Sequence, residues 1–300
     1  MTFSFKWAAA IALGGLASVG AAVGYWSRFV HPYRTQLTHE IMAVPRKHAR
    51  LNGLTIAFVS DTHIGPHFRT DDLRPAIEML RRAQPDILLL GGDYVSESPR
   101  FIDPSVDALL DMAATARFGT WAILGNHDLA NTPERVVEAL ERAGIPTLIN
   151  DAAHAETDRG DLWIVGIDDA LLGEPDLKAA FSGIPADAPV VAMWHEPDVA
   201  EDMLPFDPLF MLSGHTHGGQ IRIPGLVDAA VPRLGKRYPL GRYEVQGMPL
   251  YVSSGVGMYR PPVRFNCPPE VVIITLLGEQ DGADMLSSQL PARGTLRAEM

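Results

Sequence analysis

Short runs of uniformly apolar residues recur along this chain, separated by stretches with helical spacing. "LTIAFVS" (54–60), "DILLLGGD" (86–93) and "TWAILGNHD" (120–128) each carry a β-branched or aliphatic run without polar alternation, the pattern of strands buried on both faces. "DDLRPAIEMLRRAQ" (71–84) and "SVDALLDMAA" (105–114) repeat their apolar positions at helical intervals. "TPERVVEALERAG" (132–144) opens with Thr132 as N-cap and Pro133 at the first helical position, and closes on Gly144. Strand and helix alternate, which predicts βαβ units with parallel strands. Further on, "DLWIVGIDD" (161–169), "PVVAMWHEP" (189–197), "PLFMLSGHTH" (208–217), "YEVQGMPLYVSSG" (243–255) and "EVVIITLLG" (270–278) are expected strands, and "LKAAF" (177–181) an expected helix. No internal repeat is visible.

The first residues differ in kind. "WAAAIALGGLASVGAAVGYW" (7–26) has no charge, is long enough for a helix to cross a bilayer, and carries aromatic residues at both ends. It reads as an uncleaved membrane anchor over residues 1–30, with a cleaved signal segment ending near Ala22 as the alternative. Lys6 precedes the run, whereas Arg28, Arg34, Arg46, Lys47 and Arg50 follow it, a bias that favours the cytoplasmic face of the inner membrane over export. Residues 31–50 read as a basic linker, 51–278 as the catalytic domain, and 279–300, without apolar periodicity, as a disordered tail.

The apolar fraction of 47% allows a sizeable core, and the net charge of −11 argues against a nucleic-acid partner. Cys267 is the only cysteine, so no disulfide forms within the chain and no thiolate zinc site is possible.

Polar chemistry collects where the expected strands end. The first exit supplies Asp61 and His63, the second Asp93, the third Asn126, His127 and Asp128. Later exits supply His195, then His215 and His217 within "SGHTHGGQ". Taken singly, each residue has an ordinary reading: an Asp after a strand is a turn residue, and a His beside Trp194 is a core histidine. Together, five exits bring oxygen and nitrogen ligands to the rim where α/β sheets bind their ligands. In an extended segment, the i, i+2 pairs Asp61/His63 and His215/His217 would share one side.

The order D-x-H, G-D, G-N-H-D, H, G-H-x-H resembles the calcineurin-like metallophosphoesterase superfamily from Leu54 to about Leu277. "GHTHGGQ", "GIDD" and "LYVSSGVG…PPVRFNCPPEVVIITL" look more narrowly like the bacterial YkuE/YaeI-type group, whose members often carry an N-terminal membrane or export segment. The resemblance implies an α/β fold, a four-layer αββα sandwich of two mixed β-sheets, here preceded by one N-terminal hydrophobic helix. It places Asp61, His63 and His217 on a first metal, Asn126, His195 and His215 on a second, and Asp93 between them. It implies two divalent metal ions, manganese foremost, with iron, zinc or magnesium as alternatives. His127 takes the place of a proton donor to the leaving oxygen. Some members orient that histidine with an acidic residue three positions after the bridging Asp; here Ser96 stands there, and Asp128 is a candidate substitute.

The implied activity is hydrolysis of a phosphodiester or pyrophosphate. A phosphorylated small molecule or a lipid-linked phosphate, such as UDP-2,3-diacylglucosamine or a phospholipid, is the expected substrate, and a membrane the expected partner. A soluble nucleotide phosphodiesterase and an inactive metal-binding module of the same fold are the alternatives. A zinc peptidase is disfavoured by the absence of an HExxH motif.

Overall fold

The computed structural model describes residues 2–130, 132–223 and 231–278, with the side chains of its first helix described from Gly14 onward. The tail expected at 279–300 lies outside the described residues. The elements are α1 (Thr2–Phe29), β1 (Gln36–Val44), β2 (Thr55–Val59), α2 (Arg74–Ala83), β3 (Ile87–Leu90), α3 (Ile102–Ala113), β4 (Thr120–Ala122), α4 (Asn126–Leu129) and α5 (Pro133–Arg142). They continue with β5 (Asp151–Thr157), β6 (Gly160–Gly166), α6 (Leu177–Ala180), β7 (Val190–Met193), β8 (Phe210–Ser213), β9 (Gly241–Val245), β10 (Met248–Val252) and β11 (Glu270–Gly278).

Two mixed sheets form, in the orders β1-β11-β2-β3-β4 and β5-β6-β7-β8-β10-β9. Strand alternation explains the layering. In β2 and β3, Ala57, Val59, Leu88 and Leu90 face α2, α3 and α5, where Leu80, Leu109 and Leu140 meet them. Ile56, Phe58, Ile87 and Leu89 face the other way, against Ile164, Val191, Met193 and Leu212 of the second sheet. The outer face of that sheet presents Val165, Ala192, Met211 and Leu250 to Ala180, Ala200 and Met203. Three apolar cores thus separate four layers. β2, β3 and β4 are mutually parallel, as are β6, β7, β8 and β10. The residues following β2, β3, β4, β7 and β8 therefore leave the two sheets on one side of the molecule.

Two expectations are corrected. Residues 31–50 are not a linker, because β1 pairs with β11 along its whole length, from Gln36↔Glu270 to Val44↔Gly278. Met42 and Val44 are fully buried between the sheets. The strand was hidden because it lies at a sheet edge: Gln36, Thr38, His39 and Glu40 interrupt its apolar positions, and basic residues flank it.

The inner-membrane location through a single spanning helix is also overturned. No helix among the described residues is long and apolar enough to cross a membrane. Most positions between Trp7 and Trp26 are alanine or glycine, and such small side chains contribute little apolar area.

The β1 pairing carries a prediction. A chain beginning at Pro45 leaves β11 paired with β2 alone and removes three buried apolar side chains, Ile41, Met42 and Val44, each contributing about 1.5–3 kcal/mol. Against a typical total of about 5–15 kcal/mol, that truncation should aggregate or unfold at much lower urea, whereas one beginning at His31 keeps the midpoint of the full chain. Equal urea midpoints for the two truncations would refute the assignment of β1 to the core.

Candidate metal centre

The strand exits turn abruptly rather than running on extended. Asp61 (φ 55°), His63 (φ 45°), Asp93 (φ 57°), His215 (φ 69°) and His217 (φ 49°) all have left-handed backbone. The extended i, i+2 geometry expected for the two pairs is therefore absent. Thr216 sits in the right-handed helical region between two left-handed histidines, and a turn rather than a pleat brings both rings to the centre. Each such residue costs on the order of 1 kcal/mol or more and persists only where its surroundings over-determine it. Here they do. The Asp61 amide donates to Gly92 O (2.9 Å), the His63 amide to Asp93 O (3.0 Å), and the His215 amide to Asp61 Oδ1 (3.0 Å). Close approach also requires glycine: a Cβ on Gly125 would lie 2.3 Å from Asp93 Oδ1, and one on Gly214 would lie 1.9 Å from Ser60 Oγ.

Seven residues expected to bind metal come together here. Asp61, His63 and His217 offer donor atoms within 4.8 Å of one another, and so do Asp93, His195 and His215. His63, Asp93 and His127 form a third such group, which overlaps the first two. Asn126 adds its Oδ1, 3.0 Å from His215 Nδ1.

The hydrogen bonds show which atoms are free to ligate. His195 Nδ1 donates to Gly91 O at 2.7 Å, which leaves Nε2 as a lone pair. That Nε2 is fully buried, has no hydrogen-bond partner, and lies 3.2 Å from Asp93 Oδ2. His215 Nε2 donates to Arg233 O at 2.8 Å, which turns the Nδ1 lone pair toward Asn126. His63 Nδ1 meets Ser96 Oγ at 2.7 Å, and its Nε2 faces His217 Nε2 at 2.9 Å. Ring nitrogens and carboxylate oxygens converging with an orphaned lone pair fit a cation among them.

Electrostatics agree. Burial, with His217 and His127 close by, holds His63 well below the usual histidine range. Burial and the neighbouring His195 bring His215 down to about 4. Burial pushes the Asp61 carboxyl up, but His217 and His195 more than offset it and hold it below its ordinary value. Asp93 is likewise lowered, against burial, chiefly by His195 and His63. His63 and His215 are thus held neutral beside ionised carboxylates, as a divalent cation needs. At His195, by contrast, burial is outweighed by Asp93 and Asp61, which raise it well above the usual histidine range, so a cation taking its Nε2 displaces a proton there.

Supporting residues do not all stand where the sequence placed them. Ser96 sits behind His63. The carboxylate of Asp128 accepts the backbone amides of Asp93 (2.7 Å), Tyr94 (2.8 Å), Gly125 (3.1 Å) and Val95 (3.3 Å), so it ties the Asp93 turn to the Asn126 turn. Burial and the charge of Asp93 push its carboxyl up to about 7. The backbone amide of His127 donates to Asp93 Oδ1 at 2.8 Å, and its ring lies 4.9 Å from that of His63.

Sequence reasoning missed Gln220 and Tyr259, which line the cavity of about 260 Å³ above the cluster together with Leu171, Pro232 and Arg260. The final Gln of "GHTHGGQ" was the available signal for the first.

Comparison with known proteins agrees with this arrangement. Residues 54–219 match the family model described as calcineurin-like phosphoesterase. The chain is 31% identical over 270 residues to the uncharacterized metallophosphoesterase YkuE of Bacillus subtilis, covering 89% of this chain and 93% of that one. It is 34% identical over 229 residues to the phosphodiesterase YaeI of Escherichia coli, covering 74% and 82%. An uncharacterized metallophosphoesterase of Aquifex aeolicus is 30% identical over 233 residues, covering 75% and 86%. With the matched span running from the start of β2 through the paired histidines after β8, the chain belongs to the calcineurin-like phosphoesterase family and is a metallophosphoesterase.

Proposed function

We propose that the enzyme is a dinuclear phosphodiesterase or pyrophosphatase. In this reading Asp61, His63 and His217 hold one divalent cation, Asn126, His195 and His215 hold the other, and Asp93 serves both. One observation carries it: Asp93 Oδ2 lies 3.4 Å from His63 Nε2 and 3.2 Å from His195 Nε2, so a single carboxylate oxygen faces an imidazole of each set. Nitrogen and oxygen donors without thiolate admit manganese, iron, zinc or magnesium, and the family resemblance puts manganese first among them. Such a pair of ions, when bound, lowers the pKa of water and offsets charge on the phosphoryl oxygens.

The chain's own groups do the rest. Ser96 and the Gly91 carbonyl fix the ring orientations of His63 and His195. His127, anchored through its amide to Asp93, is placed to deliver a proton to the leaving oxygen. Leu171 lines the cavity, and Leu172 beside it is 59% exposed, an apolar lip that favours a phosphate carrying a hydrocarbon group. A lipid-linked phosphate such as UDP-2,3-diacylglucosamine, or a phospholipid, has that chemistry.

The test uses chelator-treated protein refilled with manganese and assayed on bis(p-nitrophenyl) phosphate, then on a short-chain phospholipid and on UDP-2,3-diacylglucosamine. Hydrolysis that depends on metal, with two ions per chain, is the expected result. Protein that binds one ion, or that stays inactive with all four metals, sinks the dinuclear reading. Equal rates on the lipid-linked compounds and on a plain nucleotide diester remove the lipid preference alone.

A further inference from the structure

The segment between β10 and β11 places Tyr259 over the candidate proton donor, and the proposed chemistry leaves that ring without a task. Its position is held from two sides. Gln220, the last residue of the histidine loop, is 7% exposed. Its Oε1 accepts the Tyr259 amide at 2.9 Å, while its Nε2 donates to Tyr259 O at 3.1 Å and to Pro261 O at 3.0 Å. The next residue, Arg260, makes a two-pronged contact with Glu97 through Nε (2.8 Å) and Nη2 (2.9 Å), which ties the segment to the loop that follows Asp93. Farther along, the fully buried Arg264 guanidinium donates to the carbonyls of Ser254 (2.7 Å), Gly255 (3.0 Å) and Gly257 (2.6 Å) and so fixes the approach to Tyr259.

The Tyr259 ring is thereby set 4.3 Å from the His127 ring and 5.4 Å from the His63 ring, both within aromatic contact range. It is half-buried and forms a wall of the cavity that His127 also lines. If His127 protonates the leaving oxygen, that oxygen sits within hydrogen-bond reach of His127. Whatever the oxygen carries must then lie against the ring that His127 touches. Leu171 and Pro232 line the same cavity and offer no polar side-chain group to a leaving group.

We infer that Tyr259 is a specificity-determining residue: its ring is the wall of a leaving-group subsite that prefers a planar π-system, aryl or nucleobase, to an aliphatic group. The inference rests on the dinuclear reading with His127 as donor, and it names the class of leaving group that this site takes.

The test is equilibrium binding by calorimetry to manganese-loaded protein, using pairs of non-substrate ligands that differ in the planar group. Phenylphosphonate against methylphosphonate reads an aryl group, and uridine monophosphate against ribose 5-phosphate reads a nucleobase. At least one planar ligand should bind about 3–10-fold tighter than its counterpart, the size expected of one aromatic contact. Which pair shows the preference tells aryl from base. Tyr259→Ala should erase the difference while methylphosphonate affinity and metal content stay as in the wild type, and Tyr259→Phe should keep it. Should the alanine variant fail to fold, Tyr259→Leu against Tyr259→Phe decides, since leucine supplies apolar area without a ring. Equal binding within both pairs, or a preference that survives loss of the ring, overturns the subsite and leaves the dinuclear reading standing. Manganese-loaded protein that binds none of the four ligands overturns the dinuclear reading instead.

Discussion

Asp93→Ala is expected to purify without either metal ion and without measurable turnover, whereas Asn126→Ala retains the first ion and binds the second at least about 100-fold more weakly. The difference follows from reach. The Asp93 carboxylate faces His63 and His195 through one oxygen and accepts the His127 amide through the other. Its loss leaves the imidazoles of both sets facing one another with Asp61 as the only carboxylate among the proposed ligands. Asn126 meets only His215 among the proposed ligands, through a single contact of 3.0 Å. Even residues that merely support a ligand cost about 10–100-fold in affinity when removed, so a ligand should cost more. The fold should survive in both variants, because Asp128 grips the backbone amide of Asp93 rather than its side chain. Elemental analysis alongside circular dichroism checks this, and a full metal complement in folded Asp93→Ala would falsify the assignment.

Much of this site was legible because its chemistry sits where a pattern ends. β2, β3, β7 and β8 are buried on both faces, so their sequences are unbroken apolar runs, and the first polar residue after each marks an exit. The edge strands β1 and β5 carry no such signal. β5 reads "DAAHAET", with one buried residue in seven, and its pairing with β6 is invisible until the hairpin is built. β1 was lost for the same reason. Within the site, residue types could be read but backbone directions could not. Left-handed φ at five ligand positions arises from bonds to partners far along the chain, such as that from the His215 amide to Asp61.

The supporting contacts follow this rule too. Ser96 behind His63, Asp128 across two turns and Gln220 beneath Tyr259 each join segments more than thirty residues apart. Spacing along the sequence cannot report them, because the fold rather than the chain makes them neighbours. The N-terminal run shows the converse error. There a stretch of 20 uncharged residues with aromatic ends predicts a span, whereas no helix among the described residues is long and apolar enough to cross a membrane.

His127→Ala is expected to keep both metal ions and to lose about 10²–10⁴ in rate on an alkyl leaving group, the range for removal of a general acid. With p-nitrophenolate, which departs without a proton, the loss should be far smaller. The geometry admits a competing role, since His127 stands with His63 and Asp93 in a group whose donor atoms lie within 4.8 Å of one another. Metal content separates the two. A ligand would take an ion with it when removed, whereas a proton donor would not, and alanine keeps the amide that donates to Asp93. The ratio of the two substrate rates then separates proton donation from charge stabilisation. A donor makes the loss depend on the leaving group, while a group that stabilises charge on the phosphoryl oxygens slows both substrates alike. Full metal content with a large loss confined to the alkyl ester assigns the proton to His127; a uniform loss on both esters removes that role and assigns the ring to stabilising charge on the phosphoryl oxygens.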